Sequence, residues 1–217
     1  MIVRTLAVIQ HTSADYLGLI EDHLEGRRIR FRYYRPFTGG RSLPGPDDVS
    51  GGLVLLGGGP WGSAGERDVP TLGAEVELTR HALATGAPVL GIGLGAQVLC
   101  KAAGGSSTAA PLVFDVGEGR RVRDDALNGF LPGRFPLVRY LRDRPVLPDA
   151  ADVLAVDERG EPCIFRIGPR ALGFTGHPGM KTAMVEDLIM EFAEGPADPA
   201  VALMALRERK RAIEDAL

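Results

Sequence analysis

The chain has 217 residues, 45% of them hydrophobic and 24% charged, with a formal net charge of −3. Such a composition suits one globular domain with an ample core, argues against nucleic-acid or membrane partners, and with only two cysteines, Cys100 and Cys163, excludes a disulfide framework. No run reaches the roughly 18 apolar residues of a membrane span, and the apolar start lacks the features of a signal peptide, so a cytoplasmic location is the expectation. In chain order, the spacing of apolar residues predicts a strand over 2–9, a helix over 15–25 with Leu17, Ile20 and Leu24 on one face, and a strand over 29–34. A Gly-, Pro- and Asp-rich loop follows over 35–50. A short strand at 53–56 runs into Gly57-Gly58-Gly59-Pro60-Trp61-Gly62. A helix over 71–85 and a strand over 88–92 come next. The helix from Leu94 to Ala103 is closed by Gly104-Gly105.

Strand–helix alternation to this point predicts a three-layer α/β fold, a mostly parallel sheet flanked by helices. The segment 111–160, rich in Pro, Gly and Arg, reads as short antiparallel strands. Residues 164–167 and 171–175 form a hairpin across Gly168-Pro169-Arg170. Helices follow over 180–194 and, as an amphipathic extension, over about 199–216. With no repeat or linker, residues 1–217 read as a single domain.

The most informative position is Gly93. The run Pro88-Val89-Leu90-Gly91-Ile92-Gly93-Leu94-Gly95-Ala96-Gln97 reads as strand, sharp turn and helix, the geometry that holds a nucleophile at the end of a sheet. Glycine has no side chain with which to attack.

Three phrases fall in order: Gly57-Gly58-Gly59-Pro60-Trp61, then Gly91 to Gln97, then Gly173-Phe174-Thr175-Gly176-His177-Pro178-Gly179. Together they resemble the class I (triad) glutamine amidotransferases, in particular stand-alone members similar to the glutaminase domain of GMP synthase, over about residues 2–192. The resemblance implies a cysteine nucleophile, a histidine that activates it and a glutamate that orients the histidine. These roles fall on Gly93, His177 and Gly179, so only the histidine is kept. The resemblance also implies oxyanion donors at the backbone N–H groups of Gly59 and Leu94. It makes Gly58, Gly59, Trp61, Gly93, Leu94 and Gln97 ligand-binding candidates. Arg139 and Tyr140 join them, in a stretch where relatives carry a His-Trp-His-like phrase. The joint loss at 93 and 179 points to natural divergence rather than an engineered trap.

Other signals have plainer readings. The turn at 57–62 lacks the spacing and Lys-Ser/Thr of a phosphate loop, and His11, His23 and His81 have no ligand spacing, so neither cofactor nor metal is expected. Cys100 reads as a buried structural thiol, and neither Cys163 nor Ser63 nor Thr175 has a base assigned to it. Arg120, Arg121, Arg123, Arg134, Arg139, Arg142 and Arg144 could draw an anion, but Asp124, Asp125 and Asp143 balance them. The C-terminal helix could pack on its own domain or meet a partner. The expectation is therefore a degenerate amidotransferase-like protein that binds a small amide or carboxylate, or regulates a partner enzyme, with a homodimer also open. A repurposed biosynthetic enzyme using His177 and the oxyanion hole is the alternative. An active amidotransferase with a relocated nucleophile ranks third.

Overall fold

The computed structural model describes residues 5–39 and 42–217. Residues 2–4 of the expected first strand, and Gly40 and Arg41 of the expected loop, lie outside them. The strands are β1 (Thr5–Ile9), β2 (Arg30–Tyr34), β3 (Leu53–Leu55), β4 (Val89–Ile92), β5 (Ser106–Thr108), β6 (Val113–Arg121), β7 (Arg134–Leu141), β8 (Arg144–Val146), β9 (Ala151–Asp157), β10 (Pro162–Ile167) and β11 (Ala171–Phe174). The helices are α1 (Leu19–Gly26), α2 (Leu72–Ala84), α3 (Leu94–Ala102), α4 (Thr182–Glu191), α5 (Pro199–Glu208) and α6 (Lys210–Ala216), with 3₁₀ turns at Pro46–Val49 and Ala126–Gly129.

Nine strands form one sheet in the order β2-β1-β3-β4-β11-β10-β9-β6-β7. The five from β2 to β11 are parallel to their neighbours, and β10, β9, β6 and β7 continue the sheet antiparallel. The parallel part follows from short, nearly all-apolar strands such as Leu53-Val54-Leu55, which must be covered on both faces. One face is covered by α2 and α3, whose Val76, Ala82, Val98 and Leu99 pack with Ile9, Leu55 and Val89. On the other face, α1 sets Ile20 and Leu24 against Val8, Val54 and Ile92. Further along that face Met184, Leu188, Leu206 and Ile213 of α4, α5 and α6 pack with Phe114, Val138 and Tyr140.

Four expectations are corrected. The helix expected from 15 begins only at Leu19, because Gly18 sits at φ 61° and the residues before it form an irregular loop. That loop belongs to the site. The helix expected over 180–194 is confined to Thr182–Glu191. The helix expected over 199–216 is divided at Arg209 into α5 and α6. The middle strands are antiparallel as expected but not all short, since β6 and β7 are nine and eight residues long. Among the described residues no helix is long and apolar enough to cross a membrane.

Candidate functional site: the elbow and its surroundings

The ends of β3, β4 and β11 lie side by side, which brings the three glycine-rich phrases together at the carboxyl edge of the parallel strands. This is where open α/β sheets place their ligands. Gly93 joins β4 directly to α3 with φ 58° and ψ −114°, and its N–H donates to the Phe174 carbonyl (2.8 Å). A Cβ added at Gly93 would meet only Gly57 Cα at 3.4 Å and Leu141 Cδ1 at 3.9 Å. The elbow is therefore built and has room for a side chain. Gly59, at φ 56°, holds its turn against Thr12, Leu188 and Phe192.

His177 is buried beside this elbow, but both ring nitrogens are committed. Nε2 lies 2.8 Å from the Tyr16 carbonyl, and Nδ1 lies 3.1 Å from the Gly179 nitrogen, whose N–H points to it. A carbonyl only accepts and an N–H only donates, so the ring is the neutral tautomer with its proton on Nε2. Burial pushes its pKa down, against the pull of Asp15. In this arrangement no lone pair is free to take a proton.

Gly179 differs from Gly93. A Cβ there would lie 3.0–3.1 Å from Ile20 N, Ile20 Cγ1 and Leu19 N, at the start of α1. The Leu19 N–H donates to the Gly179 carbonyl (2.9 Å), and a Cβ on Gly18 would fall 2.0 Å from that same oxygen. Two glycines thus let the α1 N-terminus close onto the turn, in the space a longer side chain at 179 would need.

Three buried titratable groups next to the elbow escaped sequence reasoning. Asp15 is 2% exposed and stands against Gly57, where any Cβ would be 2.0 Å from its Oδ2. Its Oδ1 has no hydrogen-bond partner among the described residues. Burial raises its pKa, opposed by His177, His11 and the Gly59 N–H. His11 faces the Gly57 carbonyl with Nδ1 (2.9 Å) and Glu75 Oε2 with Nε2 (2.8 Å), and both side chains are fully buried. Burial alone would lower the His11 pKa, but Glu75 outweighs it and the net shift is upward; the Glu75 carboxyl shifts down for the reciprocal reason. We read the pair as imidazolium and carboxylate, clamping the Gly57 carbonyl. The signal that could have found Asp15 and His11 is their place just past the carboxyl end of β1, level with the other loops of the site.

The remaining candidates divide. Tyr140 reaches the cluster: its hydroxyl is buried without a partner among the described residues, and burial, with Asp15 and Glu194 nearby, pushes its pKa up to about 12. Arg139 alternates to the other side of β7 and is held by Asp115 (2.9 Å) and Asp157 (2.7 Å), away from the elbow. Gln97 is fully buried, with its Nε2 donating to the Arg142 carbonyl (2.6 Å) and its Oε1 bonded to Ser63 Oγ (2.5 Å), so both ends of the amide are used by the fold. Gly58 packs under Leu94 and Trp61. Trp61 carries the Arg67 guanidinium 4.9 Å above its ring, and Arg142 donates to the Pro60 carbonyl (2.7 Å). Glu194 pairs with both arginines and straps this turn from outside. Among the described residues, Gly58, Gly59, Gly93 and Leu94 line none of five surface cavities, although Trp61 and His11 border one and His177 another.

The thiols offer no replacement nucleophile. Cys100 and Cys163 are buried, and burial pushes each pKa up to about 12. Ser63 is held by Gln97 and Ser107. The arginines of the middle segment are mostly paired, Arg121 with Asp124, Arg123 with Asp125 and Asp152, and Arg134 with Glu118. Among the described residues, no group of three or more His, Cys, Asp or Glu is placed to hold a metal ion.

Sheet, elbow and histidine turn define an amidotransferase-type α/β domain. The family model for glutamine amidotransferase class-I matches residues 43–174, well over half of the chain, and the chain belongs to that family. The fold is similar to a glutamine amidotransferase from Thermotoga maritima, with a TM-score of 0.80 and 25% identity over 100% of this chain and 95% of that one. A glutamine amidotransferase from Methylobacillus flagellatus gives 0.79 and 25% over 98% and 92%. A Thermoplasma acidophilum protein assigned to GMP synthase, as one of its subunits, gives 0.60 and 17% over 97% and 99%, a likeness of fold. Comparison with curated proteins gives no match.

Proposed function

We propose that this family member has lost the thiol-dependent hydrolysis of glutamine and serves in small-ligand binding or in regulation of a partner enzyme. The observation that carries this reading is the repacking around Gly179. The turn is locked to the start of α1, and the adjacent His177 has both nitrogens engaged. A single missing thiol would leave the rest of a triad in place, whereas here position 179 also carries no carboxylate and His177 is held by backbone groups. An oxyanion-type turn and a helix N-terminus still favour an amide or carboxylate. Burial raises the Asp15 pKa and so favours its protonated form, which donates a hydrogen bond to either. A partner enzyme fits this reading, since the T. acidophilum neighbour is by its assignment one part of a synthase.

A second reading, a repurposed enzyme, draws on one specific observation. Asp15 Oδ1 and the Tyr140 hydroxyl are buried without hydrogen-bond partners among the described residues, with Asp15 near both Tyr140 and His177, and perturbed groups without partners gather where proton transfer is done. The two readings share their first test, ammonia release from glutamine by the purified protein. Neither expects turnover, and steady turnover would sink both. Once a ligand is found, Asp15→Asn divides them: a binding protein changes affinity only, while an acid–base enzyme loses rate at saturating substrate.

A further inference from the structure

A cavity of about 380 Å³ opens where α1, the start of α4 and the helices α5 and α6 meet. That volume suits a small molecule. Its apolar wall is made by Leu19, Met180, Leu206 and Ile213. Its charged wall carries two cations and two anions. Lys181 Nζ stands 3.1 Å from Asp22 Oδ2, and Lys210 Nζ stands 3.8 Å from Glu214 Oε1. Asp15, Gly93, Tyr140 and His177 of the elbow do not line it.

The choice of cation is informative. The chain has 22 arginines and only three lysines. Two of those lysines border this one cavity, and among the described residues no arginine does. A lysine ends in a compact point charge on a flexible stem, where arginine presents a rigid planar fork. Both ion pairs are partly open to solvent, where such pairs contribute little. Each lysine can therefore turn from its own carboxylate to a ligand at small cost.

We propose that this cavity binds an apolar aliphatic α-amino acid as its zwitterion, with the carboxylate at the lysines, the ammonium at Asp22 or Glu214, and the side chain on the apolar wall. The inference goes beyond the proposed function and does not depend on it. Three observations select this class of ligand. Two positive and two negative groups leave the lining without net charge, which matches a ligand with one charge of each sign and penalises a plain anion or cation. The apolar wall is aliphatic with one thioether and holds no aromatic ring, so it favours a branched chain over a flat ring to be stacked. The cavity also touches both sides of the lock beside His177: the Leu19 N–H donates to the Gly179 carbonyl (2.9 Å), and Met180 and Lys181 follow Gly179 directly. An occupant thus ties α1 to the start of α4 at that lock.

Isothermal titration of the full chain with leucine tests the proposal, with a dissociation constant below about 1 mM expected. Two half-ligands keep the apolar body: 4-methylpentanoate has only the carboxylate and 3-methylbutylamine only the ammonium. Each should bind at least about 10-fold more weakly than leucine. Lys210→Gln changes an exposed residue and should leave the circular dichroism unchanged, while weakening leucine about 10-fold. Ala183→Trp, at an exposed position on the cavity wall, should abolish binding by filling the space. If Ala183→Trp fails to fold, Lys181→Gln takes its place, with the loss expected of Lys210→Gln. Asp15→Asn should leave leucine binding unchanged. No binding of leucine up to about 10 mM, 4-methylpentanoate binding as tightly as leucine, or leucine binding indifferent to the cavity variants would overturn the proposal. Loss of leucine binding on Asp15→Asn alone would overturn it too, by assigning leucine to the elbow.

Discussion

Putting the thiol back is the most instructive perturbation. Gly93→Cys adds a Cβ whose nearest neighbours would be 3.4 and 3.9 Å away, so packing costs almost nothing. The backbone does carry a cost. Gly93 sits at φ 58° and ψ −114°, outside the comfortable range of any residue with a Cβ, and holding one there costs about 1–3 kcal/mol. In a chain of this size about 1 kcal/mol lowers Tm by roughly 2–4 °C. Gly93→Ala should show the same loss, since the cost belongs to the backbone. The variant should nevertheless stay inactive toward glutamine. The Nδ1 of His177 accepts from Gly179 and its Nε2 proton is given to Tyr16, so no base is available to raise the thiolate population. Urea unfolding and ammonia release are the paired assays. Robust glutaminase activity from Gly93→Cys alone would refute the reasoning, and so would a stability loss above about 5 kcal/mol, well beyond the backbone cost, which would mean the space at 93 has been misread.

Other outcomes follow from the same cluster. Gly179→Ala should cost about 1–3 kcal/mol by overpacking the start of α1, and Gly93→Cys with Gly179→Glu should fail to restore turnover because α1 stands where the glutamate would go; urea midpoints and ammonia release read these. Glu75→Gln breaks the buried pair with His11 and should cost about 3–5 kcal/mol by urea unfolding. Asp15 holds its proton more tightly folded than unfolded, so the stability it contributes is present below its unfolded pKa of 3.8 and is lost as pH rises through the raised folded value. Asp15→Asn should therefore gain on the parent chain across that window, by at most about 1.4 kcal/mol per pH unit. His177 has the opposite sign: its depressed pKa costs stability as pH falls below its unfolded value of 6.5. Asp15 and His177 shift each other's pKa, so the comparison of Asp15→Asn with the parent chain reports the coupled pair, and equal pH slopes for the two would contradict the placement of Asp15.

What the sequence showed was local. Strand, turn and helix around Gly93 are adjacent in the chain, and the order of three glycine-rich phrases was enough to place them on one edge of a parallel sheet. The long-range partners were hidden. His11 and Glu75 are 64 positions apart, and nothing in either neighbourhood announces the other. Asp15 was taken into a helix because Leu17, Ile20 and Leu24 share a helical face, yet Gly18 breaks that helix and turns the acid into the site. Arg139 and Tyr140 could have been separated from sequence alone, since neighbours on a strand point to opposite faces. Gln97 illustrates a harder case: its place on α3 follows the family pattern, but the partners that use up its amide come from Ser63 and Arg142.

The central claim is that no side chain at this elbow attacks a glutamine amide. Intact mass after exposure to a glutamine-analogue electrophile reads that claim most directly, because a covalent adduct forms only where a nucleophile stands ready. The mass of the folded chain should remain unchanged, with Cys100 and Cys163 silent because burial holds both as thiols. A stoichiometric adduct on the folded protein, mapped to either cysteine or to any residue beside Gly93, would contradict it.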